Sequence, residues 1–149
     1  MADGSMLQAV ADGLFALEKI KVNDEVHEYP FVGGRLKADL TDRSGHEQFI
    51  LDVGSSRIDL AKATYQNRTR QTIILARLDI SGPPHTNPDG IVIPCPHLHR
   101  YHEGYGDKWA TAIPPNVFSN TSDLWVTFEE FCVYCNIVEP PNVQRGLFS

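Results

Sequence analysis

The sequence predicts an α+β fold, an antiparallel sheet of five to six strands flanked by an N-terminal and a C-terminal helix. Three observations lead there. Apolar residues recur at one-face helical spacing near both ends of the chain, the pattern between them changes to period two, and turn residues separate the period-two runs. At 149 residues the chain is one domain, 1–149, by size. A chain of this length buries roughly 68–70% of its unfolded surface, so it needs neither disulfides nor a structural metal to fold.

The first element is a helix from about Met6 to Lys21, with Leu7, Val10, Leu14, Phe15 and Leu17 on one face and Ser5/Gln8 as a capping box. "RLKADL" then alternates Leu36, Ala38 and Leu40, "DRSG" turns the chain, and "EQFILDV" returns with Phe49, Leu51 and Val53 on one side. "SRIDLAKATYQ" and "QTIILARLDI" read as two more strands around "NRTR". "IPCPHLHRYHE" and "KWATAI" pair around "GYGD", and "SGPPHTNPDG" is a rigid loop. A second helix runs from about Ser122 to Asn136, with "SNTS" supplying caps and Pro140–Pro141 stopping it. The tail "PPNVQRGLFS" regains apolar character at Val143, Leu147 and Phe148 and is expected to pack back on the body.

Composition excludes several classes. With 42% hydrophobic and 21% charged residues this is an ordinary globular chain. No apolar run approaches the roughly 20 residues of a membrane span, so no membrane partner is expected. "MADGSMLQAV" places no basic flank before an apolar run, so no signal peptide is expected. Three cysteines are too few for a disulfide framework, which predicts a cytoplasmic protein with free thiols. Cys132 and Cys135 fall on the apolar face of the second helix and read as core. The net charge of −6 argues against general nucleic-acid binding. Residues 57–108 nevertheless carry 7 basic against 5 acidic groups and 4 of the 6 histidines.

Three of those histidines crowd into "IPCPHLHRYHEGYGDKW", residues 93–109. In a strand His97, His99 and Tyr101 share one face, and Leu98 and Arg100 take the other. His85 sits in the preceding loop, and Arg77 and Asp79 share a face of the strand before it. If that strand pairs with the histidine strand, His85, His97 and His99 approach one another.

Three chemistries fit these residues. His97, His99 and Glu103 spell H-x-H-x-x-x-E, a donor set for zinc, iron, nickel or manganese that resembles half of the cupin metal motif. Alternatively, histidines near neutral pKa serve as acid and base on RNA, arginine neutralises phosphate, and an aromatic ring stacks an unpaired base. In the third reading the segment is a hydrogen-bonded hairpin without chemistry of its own.

"RIDLAKATYQNRTRQTIILARLDISGPPHTNPDG", "IPCPHLHRYHEGYGDKWA" and "NIVEPPNVQRGLFS" together resemble a family of small bacterial proteins known as a domain of unknown function. The stretch "ARLDISGPPHTNPDG…PCPHLH" is similar to the centre of the TumE-type endoribonuclease toxins, a match touching Arg77, Asp79, His85, His97 and His99. That second resemblance implies an RNA substrate and an antitoxin partner. The leading reading is therefore a metal-independent endoribonuclease that needs no cofactor. In it His97 or His99 is the base, His85 the acid, Arg77 and Arg100 the phosphate ligands, and Tyr101 and Trp109 the base-stacking rings. The rival reading is a non-catalytic inhibitor protein of the anti-CRISPR kind, docking a protein partner through Asp39, Asp42, Glu47 and Asp52.

Overall fold

A computed structural model describes residues 4–146 of the chain. The order of elements is α1 (Gln8–Ala16), β1 (Lys19–Lys21), β2 (Val26–Glu28), β3 (Gly34–Asp42), β4 (Gln48–Ser55), β5 (Ala63–Thr69) and β6 (Ile73–Ile80). There follow β7 (His85–Thr86), β8 (Val92–Ile93), β9 (His97–Arg100), β10 (Ala110–Ala112), α2 (Leu124–Tyr134), β11 (Ile137–Glu139) and β12 (Asn142–Gln144).

The fold corrects the predicted class. In place of five or six antiparallel strands there is one mixed sheet of eight, in the order β10-β9-β6-β5-β4-β3-β1-β11, in which β1 and β11 run parallel. Two further two-stranded sheets, β12-β2 and β7-β8, stand beside it. The added strands are two or three residues long, too short to show a period. Lys19–Lys21, read as the end of the first helix, is strand β1, because α1 stops at Ala16 and the chain turns to pair with β3 and β11.

The four central strands follow the period-two reading. Leu36, Ala38 and Leu40 on β3 and Phe49, Leu51 and Val53 on β4 are all buried on one side. Both helices pack on that side, so they do not flank the sheet from two faces. Tyr65 on β5 reaches α2, donating its hydroxyl to the Leu124 carbonyl at 2.8 Å. Arg100 lays its guanidinium 3.8 Å from the Phe15 ring of α1. The turn between β5 and β6 sits at Arg70 and Gln71, both at positive φ, which carries β5 through Asn67 and Arg68 and not through Ser56–Leu60 as expected.

The caps also differ. Asp123 caps α2, its Oδ1 accepting from Trp125 N and Val126 N. At α1 the N-cap is Leu7, and the Gln8 N–H donates to the Glu103 carboxylate at 2.8 Å while the Gln8 side chain accepts from Glu103 N. A carboxylate there satisfies an orphan donor at the positive end of the helix. Of the tail, β12 pairs parallel with β2 and brings Val143 against the core; Leu147 and Phe148 lie outside the described residues.

Candidate functional site

The face of the sheet away from the helices carries the histidines. Strand β6 pairs antiparallel with β9, setting Asp79 opposite His97 and Arg77 opposite His99. Residues two apart share a face, so these four side chains stand in a block on two adjacent strands. The β7-β8 hairpin and the 103–109 loop close over them. His97 and His99 are 3% and 0% exposed, and His85, at the start of the hairpin, is half-buried.

The three imidazoles converge. The His85 ring lies 4.6 Å from that of His99 and 5.9 Å from that of His97, and the rings of His97 and His99 are 4.9 Å apart. Their hydrogen bonds fix which atoms face inward. His99 donates Nδ1–H to the Asp107 carbonyl at 2.8 Å, so in the neutral ring Nε2 is an acceptor, and Arg77 Nη2 donates to it. That Nε2 is 3.2 Å from Asp79 Oδ2 and 3.0 Å from Arg77 Nη2. His97 Nε2 stands 3.1 Å from the same Oδ2, and Cys95 Sγ is 3.5 Å from His97 Nδ1. His85 donates Nε2–H to the Lys108 carbonyl at 2.7 Å.

Around this core sits a second layer. Thr64 donates its hydroxyl to Asp79 Oδ1 at 3.3 Å, which turns Oδ2 toward the two rings. Arg77 reaches Asp79 through Nε at 3.3 Å and the Asp107 carboxylate through Nη1 at 2.6 Å. Burial pushes the Asp79 carboxyl up, but the hydrogen bond and charge that His99 supplies when its ring is protonated, with the charges of Arg77 and protonated His97, outweigh it and hold the group down at about 2. Burial, aided by the Asp79 charge, pushes the Cys95 thiol up, so Cys95 stays a thiol. Two carboxylates and one guanidinium leave the cluster one positive charge short when the rings are neutral. A proton or a metal cation supplies it.

Asp79, His97 and His99 form a set in which each can offer one ligand atom lying within 4.8 Å of the others. Glu103, the carboxylate of the H-x-H-x-x-x-E spacing, is not in it, because it caps α1. Asp79 replaces it, and the signal was present in the sequence as its shared face with Arg77. Thr64 and Asp107 carried no signal, since one acts across a strand pair and the other from a loop, through its carbonyl on His99 and its carboxylate on Arg77.

The remaining residues of the ribonuclease reading disperse. Arg100, as strand alternation requires, goes to the helix side and donates to the Tyr134 hydroxyl at 3.0 Å. Tyr101 does not stay with His97 and His99. The chain leaves strand geometry after Arg100, and the Tyr101 ring enters the core with its hydroxyl on the Met6 carbonyl. Trp109 lies tilted against the His102 ring and edge-on to Tyr105 in the loop. Cys132 and Cys135 are buried, as the core reading of the C-x-x-C pair expects.

The architecture is an eight-stranded mixed sheet with both helices on one side and the Asp79–His97–His99 cluster on the other. The chain belongs to a family of unknown function, DUF6978, whose model matches residues 6–137. This is in line with the whole-chain resemblance. The comparisons offer no link to the TumE-type toxins, and no curated protein and no solved structure matches the chain. Among the described residues no helix is long and apolar enough to cross a membrane.

Proposed function

We propose that the protein binds a divalent transition-metal ion through Asp79, His97 and His99. The observation that carries this reading is the approach of two Nε2 atoms to one carboxylate oxygen, at 3.1 and 3.2 Å. Two imidazoles and a carboxylate suit zinc, iron, nickel or manganese. A three-ligand set leaves coordination open, as catalytic sites do and closed structural sites do not. The surrounding residues fit that role. Asp107 holds the His99 tautomer that presents Nε2, and Thr64 orients the carboxylate. Arg77 is neutralised by Asp107, so its charge need not oppose a cation held by Asp79. When bound, such an ion supplies Lewis acidity to a ligand or water. His85, half-buried beside His99, stands between the site and solvent and is placed to pass a proton.

The test is elemental analysis of untagged protein purified without chelator, followed by titration with Zn²⁺, Mn²⁺, Ni²⁺ and Fe²⁺. One metal per chain is expected, lost in Asp79→Asn and His99→Gln with the circular dichroism spectrum kept. Metal-free protein that none of the four ions stabilises against heat overturns the reading.

Metal-independent RNA cleavage remains the second reading, supported by the convergence of His85, His97 and His99 beside the Arg77 guanidinium. It requires the hairpin to lift, because His97 and His99 are covered. RNA cut in the presence of chelator, and left intact by His97→Ala, is its expected signature; RNA left intact by the wild-type protein removes it. The acidic docking face has less support. Asp42 is only 8% exposed, and Asp52 is paired with Arg68 at 2.7 Å.

A further inference from the structure

We propose that a cleft on the same outer face binds an oxyanion, phosphate or carboxylate, and holds the charged end of the ligand of the Asp79–His97–His99 centre; the assignment to that ligand rests on the metal reading above. The cleft, about 260 Å³, is lined by Arg35, Gly54, Ser56, Lys62 and Thr64 among others. It lies at the far end of one cross-strand row. Register pairs Arg35 with Gly54, Gly54 with Thr64, Thr64 with Asp79 and Asp79 with His97. The adjacent cross-strand row, Leu36, Val53, Tyr65, Leu78 and Leu98, is buried on the helix side, so these five share the outer face. Neighbouring strands are roughly 4.8 Å apart, which puts Thr64 about 5 Å from Asp79 and about 10 Å from His97 along the row.

Three features make the cleft suited to an anion. Arg35 and Lys62 have no carboxylate partner among the described residues, whereas Arg43, Arg68 and Arg77 all do. Two unpaired cations on one concavity attract a multivalent anion, and arginine adds fixed two-pronged geometry. Asp59, the carboxylate of the 56–62 loop, is occupied by the Ser81 hydroxyl and Ala61 N. Finally, Gly54 leaves the floor of the cleft open beside Arg35. A Cβ there would meet only Arg35 Nη1, at 3.9 Å. Thr64 is the shared wall, lining the cleft and donating to Asp79. By the same spacing Arg35 lies three steps, about 14 Å, from Asp79, so a ligand of roughly that length with an anionic end spans from the cleft to the metal ligands.

The test measures inorganic phosphate and succinate binding by calorimetry, first with metal-free protein and then with protein loaded with the metal it takes up best. Binding of either anion to metal-free protein is expected, and which one binds tells phosphate ligands from carboxylate ligands. Arg35→Gln with Lys62→Gln should weaken it at least tenfold. Gly54→Val keeps every charge but fills the floor, and should weaken it as much, while neither variant changes metal affinity measured without anion. Absence of binding by both anions, or binding indifferent to Gly54→Val, overturns the cleft. Anion binding that persists in a protein that takes up no metal leaves the cleft standing and removes its link to a metal centre.

Discussion

Thr64 touches both halves of the proposed site, lining the cleft and donating to Asp79 Oδ1 at 3.3 Å. Outer-layer partners of this kind set ligand orientation, and their removal typically costs 10–100-fold in metal affinity. Thr64→Val keeps the shape and loses the hydroxyl. Its metal affinity, measured by competition with a chelating dye, is expected to fall about tenfold. Lys19 presents the opposite case, a charged residue with a structural task. It is fully buried and donates to the carbonyls of Phe15, Leu17 and Cys135 at 2.8, 3.0 and 2.7 Å. Those carbonyls end α1 and α2, so one ammonium ties together the negative ends of both helices. Lys19→Met leaves buried carbonyls unpaired and is expected to cost on the order of 1–3 kcal/mol in denaturant unfolding, with the outer-face site unaffected.

At the scale of elements, the β7-β8 hairpin decides whether the site is covered. Asn87 holds it down. Its amide donates to the Ala110 carbonyl at 2.9 Å and accepts from Ala110 N at 2.8 Å, completing the free edge of β10 with a side chain. Asn87→Ala should therefore loosen the hairpin without unfolding the sheet. The expected result is faster amide exchange at Ala110 and faster modification of His97 and His99 by an imidazole-directed reagent, with little change in global stability. Equal reactivity in variant and wild type would show that other contacts hold the cover. The long central strands were legible because burial on one face imposes period two on them. The turns were legible less well, since Arg70 and Gln71 take positive φ without glycine. Strands β1 and β11 were not legible at all. Their partners lie more than a hundred residues apart, as Lys19 pairs with Ile137, and three residues show no periodicity.

For the molecule as a whole, the helix side of the sheet is the stability reservoir, and it titrates at high pH. Burial pushes the Cys132 thiol to about 12 and the Tyr29 hydroxyl to about 12, and it raises Cys135 and Tyr65 as well. These groups stay protonated in the folded chain while the unfolded chain loses their protons above about 9–10, so they subtract stability as pH rises. Lys19 works in the other direction. Burial lowers it to about 8, and between that value and the unfolded one the unfolded chain binds the extra proton, so stability rises with pH. Four groups oppose one, and unfolding free energy is expected to fall between about pH 9 and about pH 10.5. The fall should be steeper in Lys19→Met, which lacks the compensating group; denaturant melts across that range give the comparison.

The order of residues along the chain by itself determined that a helix stands near each end, the inward faces of the central strands, the core role of Cys132 and Cys135, and the alternation that puts His97 and His99 on one face and Arg100 on the other. Each follows from local spacing, which burial of one face imposes on any chain. Tertiary structure alone decided that His85, His97 and His99 meet beside Arg77, that Asp79 and not Glu103 joins them, that Tyr101 goes to the core, and that both helices share one face. Those outcomes depend on strand register and on backbone carbonyls such as that of Asp107, which form between segments far apart in the chain and leave no mark on its spacing.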